Sequence, residues 1–190
     1  SIPKKFQSVQ AIKLLRNATL QDTQRIEFEN YYDQLANAKS DNTWIVKPSS
    51  GGKGKDMKIS NSKVEILKYI DSHRSRTWII QKYINDPFLI MPGKRKFDIR
   101  VWVSVQSFSP GDFQIHVYNE GVLRTGTVEY KLNDLDNIIV HLTNHCIQTK
   151  SETYGKFEAT NEMSFAQFQA TLDKYNNSNY NNKNHKNNSD

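Results

Sequence analysis

From Phe97 to Gln106 the chain alternates without a break. Phe97, Ile99, Val101, Val103 and Val105 are apolar, and Asp98, Arg100, Trp102, Ser104 and Gln106 stand between them. A period of two is the side-chain period of a β-strand and is incompatible with an amphipathic helix. The spacing therefore predicts a strand here, and the rest of the chain must supply its partners. Trp44–Lys47, cut by Pro48, and Thr77–Tyr83 read as strands. Phe113–Tyr118 and Val122–Thr125 read as a hairpin joined through Asn119, Glu120 and Gly121, and Ile138–Leu142 as a further strand. Residues 5–39 read as two helices: Phe6, Val9, Ile12 and Leu15 recur at helical spacing, and a break at Thr19–Asp22 leads into Ile26, Phe28 and Leu35. Ser62 with Glu65, and Ser164 with Gln167, are capping boxes that open two more helices. Met163 and Phe168 are placed as a hydrophobic staple around the second box. Strands joined mainly by hairpins, with helices between the blocks, predict an α+β fold with a largely antiparallel sheet flanked by helices.

The chain carries 26 Lys and Arg against 20 Asp and Glu, a formal charge of +6. That balance favours an acidic partner without choosing one. Aromatic residues do not interleave with the basic ones as stacking platforms would, so nucleic acid is not expected. No apolar run approaches the roughly 20 residues of a membrane helix, so no membrane is expected either. The single cysteine, Cys146, excludes an internal disulfide framework and fits a reducing, cytoplasmic setting. From Tyr175 to Asp190 eight of sixteen residues are Asn, which predicts a disordered tail. That tail, and a start at Ser1 without Met, suggest an incomplete chain.

Several stretches carry candidate chemistry. Pro48-Ser49-Ser50-Gly51-Gly52-Lys53-Gly54-Lys55 is either a phosphate-cradling loop or a basic surface turn; it lacks the Gly-Lys-Ser/Thr ending of a Walker A loop. Lys96, Asp98 and Arg100 share one strand face. Two cations around a carboxylate suit triphosphate oxygens and an anionic substrate, although a solvated face gives the same pattern. Gln81-Lys82-Tyr83-Ile84 ends a strand and offers polar groups to an adenine edge, or simply packs. Arg124, between apolar neighbours, is a carboxylate clamp or a surface ion pair. His141-Leu142-Thr143-Asn144-His145 gathers hydrogen-bonding groups but lacks the ligand spacing of a metal site. These residues alone imply an anion- or nucleotide-binding domain.

Five strings taken in order resemble the tubulin–tyrosine ligase family of the ATP-grasp superfamily: Trp44-Ile45-Val46-Lys47-Pro48, Gln81-Lys82-Tyr83-Ile84, Pro92-Gly93-Lys94-Arg95-Lys96-Phe97-Asp98-Ile99-Arg100, Gly121-Val122-Leu123-Arg124-Thr125 and His141-Leu142-Thr143-Asn144. The resemblance implies a helical lead-in over residues 1–43, a partial ATP-grasp domain over 44–174 and the tail over 175–190. It implies ATP and Mg²⁺ as cofactors. The implied reaction phosphorylates a carboxylate on the acidic C-terminal tail of α-tubulin, and an amino acid's amine then displaces the phosphate. It also implies a cytoplasmic location, at microtubules or cilia. By the same resemblance Lys47 and Lys96 contact phosphates, and Gln81, Lys82 and Tyr83 line the adenine pocket. Asp98 lies at the nucleotide, Arg100 and Arg124 hold carboxylates, and His141, Thr143 and Asn144 line the reaction centre. The continuation His145-Cys146-Ile147-Gln148, then Tyr154-Gly155-Lys156 and Asn161-Glu162-Met163, resembles the tyrosine ligase more than its glutamylating or glycylating relatives, so tyrosine is the expected amino acid, with glutamate as the alternative.

Two departures stand out. Asp56 follows Gly54-Lys55 where the family commonly has Gly. The family's metal-binding Asp and Glu-x-Asn strand have no counterpart after Leu172, so no metal ligand is identified. The chain by itself is expected not to ligate, and a non-catalytic nucleotide or tubulin binder is the competing reading.

Overall fold

The computed structural model describes residues 11–14, 18–38, 42–73 and 76–186, with side chains from Thr23 to Tyr175 apart from those gaps. The chain divides into two compact units, one running to Pro87 and returning for Leu132–Asn137, the other comprising the rest.

The first unit holds β1 (Ala11–Leu14), α1 (Ala18–Asn37), β2 (Trp44–Pro48), β3 (Lys58–Ser60), α2 (Lys63–Asp71) and β4 (Trp78–Lys82). Its sheet is antiparallel throughout, in the order β1-β4-β2-β3. Trp44 and Val46 on β2, with Trp78 and Ile80 on β4, turn to one face because strand side chains alternate. Phe28 from α1 and Ile66 and Ile70 from α2 close that face into a core. Phe28 meets the Trp44 ring edge-on at 5.1 Å. Each such side chain contributes about 1.5–3 kcal/mol by leaving water. The buried indoles keep partners, Trp44 donating to Asn42 Oδ1 at 2.7 Å and Trp78 to the His73 carbonyl at 3.2 Å. Helix α2 starts at the expected cap, Ser62 accepting from the Glu65 amide. The return arm runs through an extra hydroxyl: Ser60 donates to Glu65 Oε2 and accepts from the Ser62 amide.

The lead-in differs from expectation. Ala11–Leu14 is a strand hydrogen-bonded to β4, not a helix, and α1 runs unbroken from Ala18 through the expected break. An open β4 edge outweighs a weak helical pattern, because a strand there pairs backbone groups that would otherwise lack partners. Phe6 and Val9 lie outside the described residues.

The second unit is built on a hairpin, β5 (Arg95–Ser109) and β6 (Asp112–Glu129), with β7 (Glu162–Met163) added beside β6. The turn is Pro110-Gly111, where Gly111 takes φ +89°, a conformation that favours glycine. Asn119-Glu120-Gly121 is therefore not the turn. β6 is one continuous strand, and that segment is a bulge: Val101 faces Gly121 and Val103 faces Val117, so β6 carries extra residues. Gly121 also accommodates Phe165, since a Cβ there would collide with its ring.

Ile138–Leu142 forms no strand. Ile138–His141 is a short helix (α3), followed by α4 (His145–Gln148). Gln148 explains this. Its buried amide donates to the Ile139 and Leu142 carbonyls, while its oxygen accepts from the Thr127 amide and hydroxyl at 2.8 Å each. α5 (Phe165–Lys186) opens with both arms of the predicted capping box. Its helical backbone continues into the Asn-rich segment, where a disordered tail was expected from Tyr175. Once nucleated, each added residue gains a hydrogen bond, and no Gly or Pro interrupts the run. The outer hairpin leaves its apolar face open: Val103, Val105, Phe113, Ile115 and Val117 are all exposed.

Arg95 anchors this unit. It is fully buried, forks onto Glu158 at 2.7 and 2.8 Å, and donates to the Pro92 and Gly126 carbonyls. Arg95→Met leaves Glu158 without its partner and should cost about 3–5 kcal/mol. Urea unfolding checks this, with Arg95→Met/Glu158→Leu expected to lose less than the single variant.

Candidate functional site

The predicted residues fall into two groups, one per unit. In the first, β2 and β4 are adjacent, and Lys47 Nζ donates to Gln81 Oε1 at 2.5 Å. Lys82 sits opposite Trp44, with Nζ 5.6 Å from its ring centroid and 3.2 Å from the Thr43 carbonyl. Tyr83 is buried, and its amide donates to the same carbonyl at 3.0 Å. Its backbone donor is therefore engaged in extending the sheet. Gln81 pairs with both Ala11 and Ile45, so it lies on an interior strand.

In the second unit, Lys96, Asp98 and Arg100 follow one another along β5, and Arg124 stands directly across from Asp98 on β6. Arg124 grips both carboxylate oxygens, Nε on Oδ1 at 2.8 Å and Nη2 on Oδ2. That bond, against partial burial, raises the Arg124 pKa further above its ordinary value. Arg124 thus forms an ion pair, which is part-buried rather than open to water. Arg100 is exposed, opposite Val122.

Lys96 is the electrostatic oddity. Its Nζ lies 3.2 Å from the His141 carbonyl and 5.7 Å from the Tyr130 ring centroid. Burial pulls its pKa from 10.5 down to about 8, with Asp98 only partly opposing. His141 supplies that carbonyl, while its imidazole is buried edge-on against Tyr130. Its ring is thus a packing element. Thr143 and Asn144 follow at the α3–α4 junction. Asn144 is the N-cap of α4, and its carbonyl accepts from the Ile147 and Gln148 amides.

Arg124 and Thr143 also line a concavity with His145, Tyr154, Asn161 and Glu162. The last four went unassigned in the sequence, as did Arg95, Glu158 and Gln148. Arg95 is held by Glu158, 63 residues on, and Gln148 reaches back 21 residues to Thr127 as well as to the nearer Leu142 and Ile139 carbonyls, beyond any helical or strand period. Among the described residues no three His, Cys, Asp or Glu side chains gather as a metal site. Asp98, the one strand carboxylate expected at the nucleotide, has both oxygens held by Arg124. The donors present do not fit Mg²⁺ as they stand. No described helix is long and apolar enough to cross a membrane.

The chain is α+β with antiparallel sheets and carries Lys, Asp and Arg on facing strands, which is consistent with an ATP-grasp-like domain. It belongs to the tubulin-tyrosine ligase family, which matches residues 3–188. It is 35% identical over 144 residues to tubulin glycylase 3C of Tetrahymena thermophila, 76% of this chain and 13% of that protein. It is 33% identical over 154 residues to tubulin monoglycylase TTLL3 of Mus musculus, 77% of this chain and 16% of that one. The chain therefore spans about a seventh of the length of these curated relatives.

The depressed Lys96 pKa sets a pH signature. Between about 8 and 10.5 the unfolded state binds a proton that the folded state has released, so this group makes stability rise with pH across that window. Below about 8 both states are protonated and the contribution is flat. Urea midpoints measured from about pH 7 to 10.5 should show Lys96→Met lacking that rise relative to the parent.

Proposed function

We propose that this chain is the nucleotide- and substrate-handling part of an ATP-dependent ligase that joins glycine to a carboxylate on tubulin. The family match carries the reaction class, and the relatives' names carry the amino acid. Tyrosine was expected from His145-Cys146-Ile147-Gln148, but the relatives described above are named for glycine, so the proposal moves to glycine.

The residues support such chemistry in physical terms. Three anionic partners, nucleotide, acceptor and amino acid, repel one another, and fixed cations lower that repulsion. Lys96 is the strongest candidate for phosphate oxygens. A desolvated ammonium interacts more strongly with an anion than a hydrated one, and an incoming anion would raise its pKa back toward the ordinary value. Lys47, tethered by Gln81, is the first unit's equivalent. Lys82 and Tyr83 present a cation and a ring beside Trp44 and Thr43 for a base edge. Arg100, exposed on the face of Lys96 and Asp98, is available to the acceptor carboxylate. Asp98 serves by orienting Arg124. Mg²⁺ would neutralise the phosphates during transfer. The acidic tubulin tail suits the net charge of +6.

A charge-assisted contact is worth roughly 1.5–3 kcal/mol, so Lys96→Ala should weaken ATP binding about 10- to 150-fold by calorimetry. Unchanged affinity would remove Lys96 from the nucleotide site. The full-length protein with Mg-ATP and tubulin should incorporate labelled glycine in preference to tyrosine or glutamate. Incorporation of tyrosine instead would return the assignment to the sequence expectation, and nucleotide binding without any incorporation would favour a non-catalytic binder.

A further inference from the structure

We infer that the Asp56–Arg76 ion pair is an exchange latch on the loop after β2: Asp56 is a built-in carboxylate that occupies the Arg76 guanidinium until polyphosphate oxygens take its place. This rests on the nucleotide reading above and adds to it a residue, Arg76, that no local pattern singled out. The loop leaves β2 at Pro48, which pairs with Trp78 at the start of β4. Its first residue is fastened there, the Ser49 amide donating to the Thr77 carbonyl at 2.9 Å. Its last is fastened beside it, Arg76 Nη1 donating to Asp56 Oδ2. Residues 76 and 77 thus hold both ends of the loop. Between them Lys53 and Lys55 are exposed, and around Gly51 and Gly52 no described atom would lie within 4 Å of an added Cβ. Cations therefore gather on an open loop at one end of the sheet, two residues beyond Lys47.

Asp56 is the one acid in this basic loop, and it adopts φ +56°. An L-residue pays for that conformation, although Asp tolerates it better than most. Arg76, with lesser contributions from His73 and Lys55, holds the Asp56 carboxyl below its ordinary range, so it is ionised throughout the neutral region. Both partners are 48% exposed, far more than Arg95 with Glu158. Water screens such a pair, and it exchanges at little cost, whereas a buried pair does not. The guanidinium fork fits phosphate oxygens as well as a carboxylate, and a polyphosphate brings more charge than one Asp. The anion displaces Asp56 from Arg76, and Asp56 turns to water.

The test is calorimetric titration of the 190-residue chain with tripolyphosphate and, in parallel, with ATP, at about 0.15 M salt so that distant charges are screened. Asp56→Asn keeps a residue that tolerates positive φ and removes only the competing charge. It should tighten tripolyphosphate about two- to fivefold. Arg76→Gln should weaken it about tenfold. In the Arg76→Gln background, Asp56→Asn should change affinity by less than about twofold, because the competition needs both partners. The latch is overturned if Asp56→Asn binds no better or worse than the parent, which would make the pair a mere brace. It is equally overturned if Arg76→Gln binds as the parent does, if the gain from Asp56→Asn survives in the Arg76→Gln background, or if the parent binds no tripolyphosphate. ATP bound alike by the parent and both single variants sinks the latch and leaves the nucleotide reading standing. The expected pattern with tripolyphosphate, with ATP bound no better than tripolyphosphate, keeps the latch and removes the nucleotide reading.

Discussion

The second unit depends on burying one charge. Arg95 begins β5, is fully buried, and is satisfied on every side: Glu158 by a two-pronged bond, two carbonyls, and the Phe157 ring at 4.0 Å. Removing a guanidinium from water is costly, and only such complete pairing offsets it. The consequences spread outward. Glu158 is held down onto β6 through the Thr125 hydroxyl at 2.7 Å. Burial pushes its pKa up, but the bonds from Arg95 and Thr125 outweigh that and leave it below the ordinary range. Asn161, next to β7, bonds back to Thr125 and caps the loop at the Gly155 amide. The strand that places Glu162 opposite Arg124 is thereby tied to the same ion pair that starts β5.

That chain of contacts explains what could be read from the sequence and what could not. Local patterns were legible: the alternation of β5, the strands at Trp44 and Trp78, and both capping boxes depend on residues within a few positions of one another. Features set by distant partners were not. Ala11–Leu14 became a strand because β4 had an edge to fill, and Ile138–His141 is a helical turn whose Ile139 carbonyl, with that of Leu142 just after it, is held by Gln148. The hairpin turn was misplaced for a related reason. Asn119-Glu120-Gly121 carries a turn signal, but Pro110-Gly111 carries one too, and only pairing along the whole of β5 selects between them.

For the site, the strings that resemble the family located the cations but not their states. Sequence placed Lys96, Asp98 and Arg100 on one face, since alternation alone determines that. It had no means of telling that Asp98 would pair with Arg124, because that pairing depends on the register of two strands whose bulges are not visible locally. Nor could it distinguish the His141 imidazole from its carbonyl. The carbonyl meets Lys96, while the ring packs edge-on against Tyr130.

The same register separates the residues that carry the frame from those that border the concavity. Lys96, Asp98 and Arg124 are carried by the two long strands, where a change of residue disturbs the ladder. His145, Tyr154 and Glu162 sit on a short helix, a loop and a two-residue strand. Those elements are held by Arg95, Glu158, Asn161 and Gln148, whose bonds described above do not involve the side chains at 145, 154 and 162. The lining of the concavity can therefore be altered while the frame that holds it stays intact. The frame is thus carried by the strands and their buried partners, and the side chains that border the concavity can vary at little cost to it.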